Sequence, residues 1–505
     1  MAEPLPPPGP SSLDALRQRH GPRYRWLLLL SVMIGTMASI MSSTIVNVAI
    51  PDMSQHFALG QERAQWVSSG FMAAMTVSML TTPWLLGRYG YRRTYLICMW
   101  LLLLGGVAGG ISGVYPLVLA ARVCEGLAAG VVQPIPAIII LRAFDRNEQG
   151  RASGLFGMGV VLAPALGPSL GGVLVDWFGW RSIFFMVAPF CVVSMWLAYK
   201  FVPITAPGGV AADRGGAPLD WIGLLLATAG TLSLLNGLVH LHDGAPLLAG
   251  GLLVIATLSC AGFVWWERRI ARAGNTTGGA TRGAAPLMSF DLFGYRQFAM
   301  GTVVAFIYGT ALFGSTYLLP VFMQRGLVLS PSYVGTILLP AGFILAGTIA
   351  LVGRLADHQP AHRLVSIGLL LLASSFALMV TVNTTTSLFV LVAWAIIGRI
   401  GLGFILPSLN LGSMRGVDRA LIPQGASVIN FMRMLGGAIG VSLCGILLEW
   451  RLAAHGDSLT TLATSSARLD AFDEVFCVVA GICAVAIIAA WQLRERATPA
   501  PPSAD

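Results

Sequence analysis

Charge is what this sequence has least of. Only 10% of its 505 residues are Asp, Glu, Lys or Arg, against about a quarter in soluble domains. By contrast 56% are hydrophobic and the mean hydropathy is +0.76. So sparse a charged surface excludes a soluble globular protein. Paired cysteines are missing as well: Cys98, Cys124, Cys191, Cys260, Cys444, Cys477 and Cys483 all sit inside apolar runs with no CxxC among them. They read as small buried hydrophobes, not as disulfides or metal ligands. There is no nucleotide-binding P-loop, which argues against an ATP-driven pump, and no metal-ligand cluster or Ser-His-Asp grouping. An enzyme, a metal and a cofactor are therefore not expected. Nor is there a short apolar core followed by a small-residue cleavage site. The opening "MAEPLPPPGPSSLDALRQRHGPRYR" reads instead as a disordered cytosolic tail over 1–25.

What the chain has is apolar runs, each near the roughly 20 residues that cross a bilayer as a helix. Lipid offers the backbone no partner, so each run must satisfy its own hydrogen bonds as a helix. Fourteen spans follow: 26–50, 64–86, 94–113, 115–140, 152–174, 181–202, 220–240, 246–267, 298–320, 332–352, 364–383, 387–410, 423–448 and 471–493. With the N-terminus in the cytosol, the inner loops collect Arg88, Arg92, Arg93, Arg142, Arg146, Arg151, Arg268, Arg269, Arg272, Arg282 and Arg296. Outer loops keep scattered arginines such as Arg63, Arg181 and Arg325. The positive-inside rule then places both termini in the cytosol and the protein in the cell (inner or plasma) membrane. Orientation and anionic headgroups of the lipid bilayer account for the net charge of +9, so no nucleic-acid partner is needed. Two Gly- and Ala-rich stretches, 203–219 and 268–297, read as linkers isolating a two-helix insert, 220–267, between six-helix bundles at 26–202 and 298–493, with a tail at 494–505.

That layout is accompanied by a repeat. "PWLLGRYGYRR", Pro83 to Arg93, joins spans two and three, and "GRLADHQPAHR", Gly353 to Arg363, joins spans ten and eleven. Arg88, Gly90 and Arg92 in the first, and Gly353, Asp357 and Arg363 in the second, are candidate gating residues. The second loop carries the pattern for an acid-to-arginine contact at a helix end. Span four carries "RVCEGLAAG" with Arg122 and Glu125, followed by Gln133. An arginine in mid-span is costly and implies a polar cavity or partner. Span five carries "GMGVVLAPALGPSLGG", where small residues permit close helix approach and Gly167-Pro168 bends the span.

These stretches resemble motifs A, B and C of the major facilitator superfamily, motif C being its antiporter signature (Gly167, Pro168, Gly171, Gly172). Together with "LDWIG" at Asp220, "LPVFMQ" at Gln324, "LLPAG" at Pro340 and "GASVINFMRMLGGAIGVSL" at Arg433, they resemble the fourteen-span drug/proton antiporter branch of the EmrB and QacA type. The resemblance runs from about Tyr24 to Arg496. It implies an all-α polytopic membrane protein with the major facilitator fold, two six-helix bundles plus two inserted helices. It also implies export of small lipophilic or cationic compounds in exchange for protons, by alternating access. A facilitator or exporter without proton coupling, and a transporter of one specific metabolite, are the alternatives.

The family's usual proton carrier is an Asp in span one, in a pattern like L-D-x-T-I-V-N-V-A-L-P. Here "MSSTIVNVAIP" places Ser42 at that position. Serine cannot carry a proton. The front loop departs too, with Gly87 where the acid would stand. Glu125 replaces the usual Gln of motif B and stands at a depth similar to Ser42, roughly 12–15 Å in at 1.5 Å per residue. Two readings compete for it: a proton carrier, its carboxyl held in apolar surroundings, or a static buried ion pair with Arg122 three residues away. Ser42, Asn47, Phe71, Gln133, Gln324, Arg399 and Arg433 are candidates for lining the substrate cavity. The last outer loop, about 449–470, is the longest on its face and leaves room for a periplasmic adaptor.

Overall fold

A computed structural model describes residues 13–204, 218–242, 245–276, 286–458 and 465–494, and every extended element among them is a helix. A short helix α1 (Leu13–His20) lies in the segment expected to be a disordered tail. Leu16, only 4% exposed, packs it into the core, and that burial outweighs the polar composition around it. Residues 1–12 lie outside the described residues.

The front bundle comprises α2 (Tyr24–His56), α3 (Gln61–Ser78), α4 (Thr82–Tyr89), α5 (Tyr91–Ile111), α6 (Tyr115–Val132), α7 (Ile135–Ala143), α8 (Gln149–Phe178) and α9 (Ser182–Phe201). An insert hairpin follows, α10 (Trp221–His242) and α11 (Pro246–Thr276). The back bundle comprises α12 (Arg296–Val321), α13 (Pro331–Leu355), α14 (Ala361–Met379), α15 (Leu388–Gly412), α16 (Ile422–Ala454) and α17 (Ser466–Trp491). Twelve described helical stretches are long and apolar enough to cross a membrane. The α3–α4 and α8 segments are not among the twelve, yet they pack between them.

The two bundles share one pairing scheme. In the front, α2 packs on α8 and α9, α6 on α3 and α5, and α5 on α9. In the back, α12 packs on α16 and α17, α15 on α13 and α14, and α14 on α17. The internal repeat suggested by the two arginine-rich loops is thus a repeat of helix packing.

Prolines set the breaks. A 3-10 turn, Met79–Thr81, separates α3 from α4, whose first turn holds Pro83. Gln133 and Pro134 separate α6 from α7. Proline has no N–H for the ladder, so the axis bends there and the flanking side chains turn toward the bundle interface.

The insert lies against α3 and α16 through α10. A pair of buried acids pins it. Asp220 Oδ1 accepts from the Gly223 amide at 3.0 Å and from Trp266 Nε1 at 2.9 Å. Glu267 accepts from the Leu287 amide at 3.3 Å, in the segment leading into α12. The sequence placed the end of the second inserted span at 267, but α11 continues to Thr276, so part of the expected linker is helix. Residues 205–217, 277–285 and 495–505, from the two linkers and the last tail, lie outside the described residues.

At the end of the molecule away from the arginine-rich loops, the connection from α16 to α17 is shorter than the expected 449–470, because the two helices reach Ala454 and begin at Ser466. Arg468, fully buried, donates to Asp457 Oδ1 at 2.8 Å, to the Ser458 carbonyl at 2.7 Å and to the Arg325 carbonyl at 3.1 Å. The Arg468 bond and those from Ser465 and the Ser458 amide hold the Asp457 carboxyl at about 2, below its ordinary 3.8. The ionised carboxylate therefore contributes stability that is complete above the ordinary aspartate value and is lost as pH falls toward 2. Asp457→Asn is expected to lower the melting temperature at pH 7, with the gap to wild type closing in melts run between pH 4 and 2.

Candidate functional site

Arg122 and Glu125 stand one turn apart on α6, and both side chains are 2% exposed. They form an ion pair through Arg122 Nη1 and Glu125 Oε2. The hydroxyl of Ser42, from α2, joins them: it accepts from Arg122 Nη1 at 2.8 Å and donates to Glu125 Oε2 at 3.2 Å. Arg122 also donates to the Ser42 carbonyl at 3.1 Å and the Val67 carbonyl at 3.3 Å, and its guanidinium lies 4.2 Å from the centre of the Phe71 ring. A charge taken out of water is tolerated when it is paired and hydrogen-bonded, and here the guanidinium has its carboxylate and each of its three nitrogens has an acceptor.

Glycines make the room. On α5, a Cβ at Gly105 would lie 2.7 Å from Glu125 Cγ, and one at Gly106 would lie 3.1 Å from Glu125 Oε1. The "GG" pair in the third span is the signal that reading by charged residues alone passed over.

Of the front-bundle candidates, three converge as a unit. Ser42, Arg122 and Glu125 touch. Phe71, expected in the cavity wall, is instead fully buried beneath the guanidinium with Met75 and Met79. Asn47 is exposed, more than one turn along α2 from Ser42.

A second contact bridges the bundles. Arg433 Nη2 on α16 donates to Asn430 Oδ1 at 2.9 Å and reaches Gln133 Oε1, at the proline break of α6 and α7, at 3.4 Å. A small enclosed space beside them is also lined by Thr36, Ser153, Asn410 and Leu406. Asn430 was not singled out in the sequence, although an amide three residues before an arginine in an apolar helix could have drawn notice. Arg399 is half-buried on α15, and Gln324 lies in a π-turn, Phe322–Gly326, at the end of α12; neither hydrogen-bonds to this cluster.

The motif C glycines lie against the stretch that contains Ser42. A Cβ at Gly167 would come within 2.7 Å of Thr44 Oγ1, and one at Gly171 within 2.6 Å of Ile45 Cγ1, whereas Gly172 has open space. Pro168 lies within α8. The glycines let α8 cross α2 closely just beyond the ion pair. Gly171→Leu should cost roughly 1–3 kcal/mol by overpacking and displace α2; a thermal melt showing wild-type stability would count against a tight crossing there.

The bundles meet at the arginine-rich end. Asp357, in the α13–α14 loop, accepts from the amides of Gly150 at 2.6 Å and Arg151 at 3.0 Å, at the N-terminus of α8. The contact is therefore acid to helix N-terminus, where the helix dipole favours an anion, and not acid to arginine as expected. Burial pushes the Asp357 carboxyl above its ordinary value, against the pull of those two amides. A Cβ at Gly353 would lie 2.7 Å from the Gly150 carbonyl, so α8 and α13 cross almost backbone to backbone. Arg142 Nη2 adds a 2.7 Å bond to the Arg419 carbonyl. Farther along α13, added Cβ atoms at Gly342 and Gly335 would meet nothing within 4 Å.

The front loop bonds within its own bundle. Arg92 donates to the Val202 carbonyl at 2.7 Å, and Gly90, at φ +77°, would bring a Cβ to 2.7 Å from the Ile204 carbonyl. Arg88 and Arg363 are exposed.

Two matched helical bundles, joined at the arginine-rich end and again through Arg433 and Gln133, with twelve described stretches long and apolar enough to cross a bilayer, define a multi-pass membrane protein. The chain matches the Major Facilitator Superfamily over residues 32–441 and belongs to that superfamily. It is a transporter. Among its relatives are the Multidrug resistance protein Stp of Mycobacterium tuberculosis strain H37Rv, 27% identical over 86% of this chain and 77% of that protein, and the Methylenomycin A resistance protein of Streptomyces coelicolor, 24% identical over 86% and 88%. The uncharacterized MFS-type transporter YcnB of Bacillus subtilis is 24% identical over 95% and 97%. The fold resembles that of the human organic anion transporter MFSD10, with a TM-score of 0.63 at 14% identity over 92% of this chain and 99% of that one. It also resembles the proton:xylose symporter XylE, with a TM-score of 0.62 at 13% identity over 92% and 94%.

Proposed function

We propose that this transporter exports small lipophilic or cationic compounds in exchange for protons, and that Glu125 carries the proton. The observation that carries the reading is the buried Ser42–Arg122–Glu125 cluster, which places a carboxylate beside the residue at the family's usual proton site. Proton transfer to Glu125 would break its ion pair and leave Arg122 to its carbonyl and hydroxyl acceptors. A change in the α2–α6 contact would follow, and this is the kind of two-state element that alternating access requires. The names of several relatives, resistance proteins toward drugs and antibiotics, support the substrate class.

Fourteen spans, with α3–α4 and α8 crossing alongside the other twelve, and the arginine-rich end in the cytosol complete the proposal. The described state is then closed to the cytosol by Asp357, Gly353 and Arg142 and divergent toward the outer face. Gln133, Arg433 and Asn47 line the route between the bundles. The multi-pass protein would sit in the plasma or inner membrane with both termini in the cytosol.

Proteoliposomes with an imposed pH gradient and ethidium as probe test the proposal. Export that rises with the gradient supports it, and export indifferent to the gradient overturns proton coupling. The closed ion pair favours one competing reading, an uncoupled exporter in which Arg122 and Glu125 are a fixed brace, and the same assay decides between the two.

A further inference from the structure

The insert hairpin has no part in the mechanism above, yet α10 covers a seam where front and back bundles separate. On the arginine-rich side of this seam, α16 packs against the 3-10 turn Met79–Thr81 and against α4. Toward the other end α3 and α16 diverge, and a cleft of about 430 Å³ opens between α3, α10, α12 and α16. Its walls mix Met434, Phe313 and Trp66 with Gln65, Asn236 and Ser442. A larger trough, about 840 Å³, continues from it along α3 and α4, and the two share Trp66, Ala73 and Leu232. The trough is lined almost wholly by apolar side chains of α3, α5, α6 and α10.

An apolar groove of this kind would accept any lipid chain. The amide in the cleft would not be needed for that. Asn236 lies within a helix long and apolar enough to span the membrane; its Nδ2 donates to the Leu232 carbonyl at 2.8 Å and the Ser442 hydroxyl donates to the Ala438 carbonyl at 3.2 Å, which leaves the amide oxygen and the hydroxyl lone pairs as acceptors on the cleft wall. Volume and lining fall in the range of small-molecule sites, mostly apolar with a few placed polar groups.

We infer that α10 forms one wall of a lateral binding site for an amphiphilic organic molecule: its hydrogen-bonding group lodges between Asn236 and Ser442, and its apolar body lies in the trough along α3. The inserted helices then shape which compounds are handled. This rests on the transport reading, but concerns a site separate from Glu125.

The test is equilibrium binding to the purified full-length protein with two lipophilic cations: rhodamine 123, which has amino and ester groups, and tetraphenylphosphonium, which has no hydrogen-bonding group. Asn236→Leu combined with Ser442→Val should weaken rhodamine 123 about tenfold, as expected for loss of one hydrogen bond, and leave tetraphenylphosphonium unchanged. Ala73→Phe, at the junction of cleft and trough, should weaken both, with an unchanged melting temperature showing that the fold persists. Equal effects of the first variant on the two probes, no effect on either, or wild-type binding of neither overturns the site. Because binding is read without a gradient, failure of proton coupling in vesicles leaves this result independent.

Discussion

Glu125→Gln is expected to reduce gradient-driven export to the rate measured with no gradient, while any exchange of substrate down its own concentration difference continues. The amide keeps the shape of the side chain and can still accept from Arg122 and Ser42, so the α2–α6 contact persists. What disappears is the titratable group. Loss of the charge-assisted bond weakens the cluster by about 1.5–3 kcal/mol, small enough for the variant to reach the membrane. The assay is ethidium efflux from proteoliposomes with and without an imposed gradient. Full gradient-driven export by the variant would remove Glu125 as the carrier and favour the fixed-brace reading. Ser42→Asp is the companion variant, since it adds a second carboxylate within reach of the same guanidinium.

The second large effect lies at the other partner. Arg122→Met should destabilise the protein by about 3–5 kcal/mol, because it strands a carboxyl group that is 2% exposed without the guanidinium it is paired with. The desolvation of Glu125 is then uncompensated: Ser42 offers it one hydroxyl, and Gly105 and Gly106 pack directly against it. Arg122→Met combined with Glu125→Leu should recover most of that loss, since apolar groups of similar volume often replace a buried ion pair at no net cost. Thermal melts of the two singles and the double in detergent give the coupling energy. Additive effects would mean that the two side chains are not a unit, contrary to the geometry.

Both predictions rest on a cluster that was partly legible in the primary structure. An arginine and a glutamate three apart in an apolar run announce a helix face that must be satisfied internally. Depth counted from the helix ends brought Ser42 level with them, and the two side chains do touch. Phe71 misled, because an aromatic in a membrane helix can face lipid, cavity or core, and only the packing of α3 on α6 turns it under the guanidinium. The Asp357 contact was legible as an acid at a helix end, but its partner was not. A backbone amide carries no residue-specific signal, and Gly150 lies 207 positions away in the chain.

The sequence by itself determined that this is a helical membrane protein with two arginine-rich loops in matching places and an insert between its halves. Hydrophobic run length, the scarcity of charge and the placement of glycine and proline act locally, and lipid leaves the backbone no alternative to the helix. Tertiary structure alone decided which faces meet: Arg433 with Gln133 across the bundles, Asp357 on the N-terminus of α8, and Asn236 of the insert lining one cleft with Ser442 of the back bundle. In a chain so uniformly apolar, burial patterns do not separate lipid-facing from core-facing residues. Side-chain partnership is set by close helix crossings at glycine and by proline breaks, which act between segments distant in sequence.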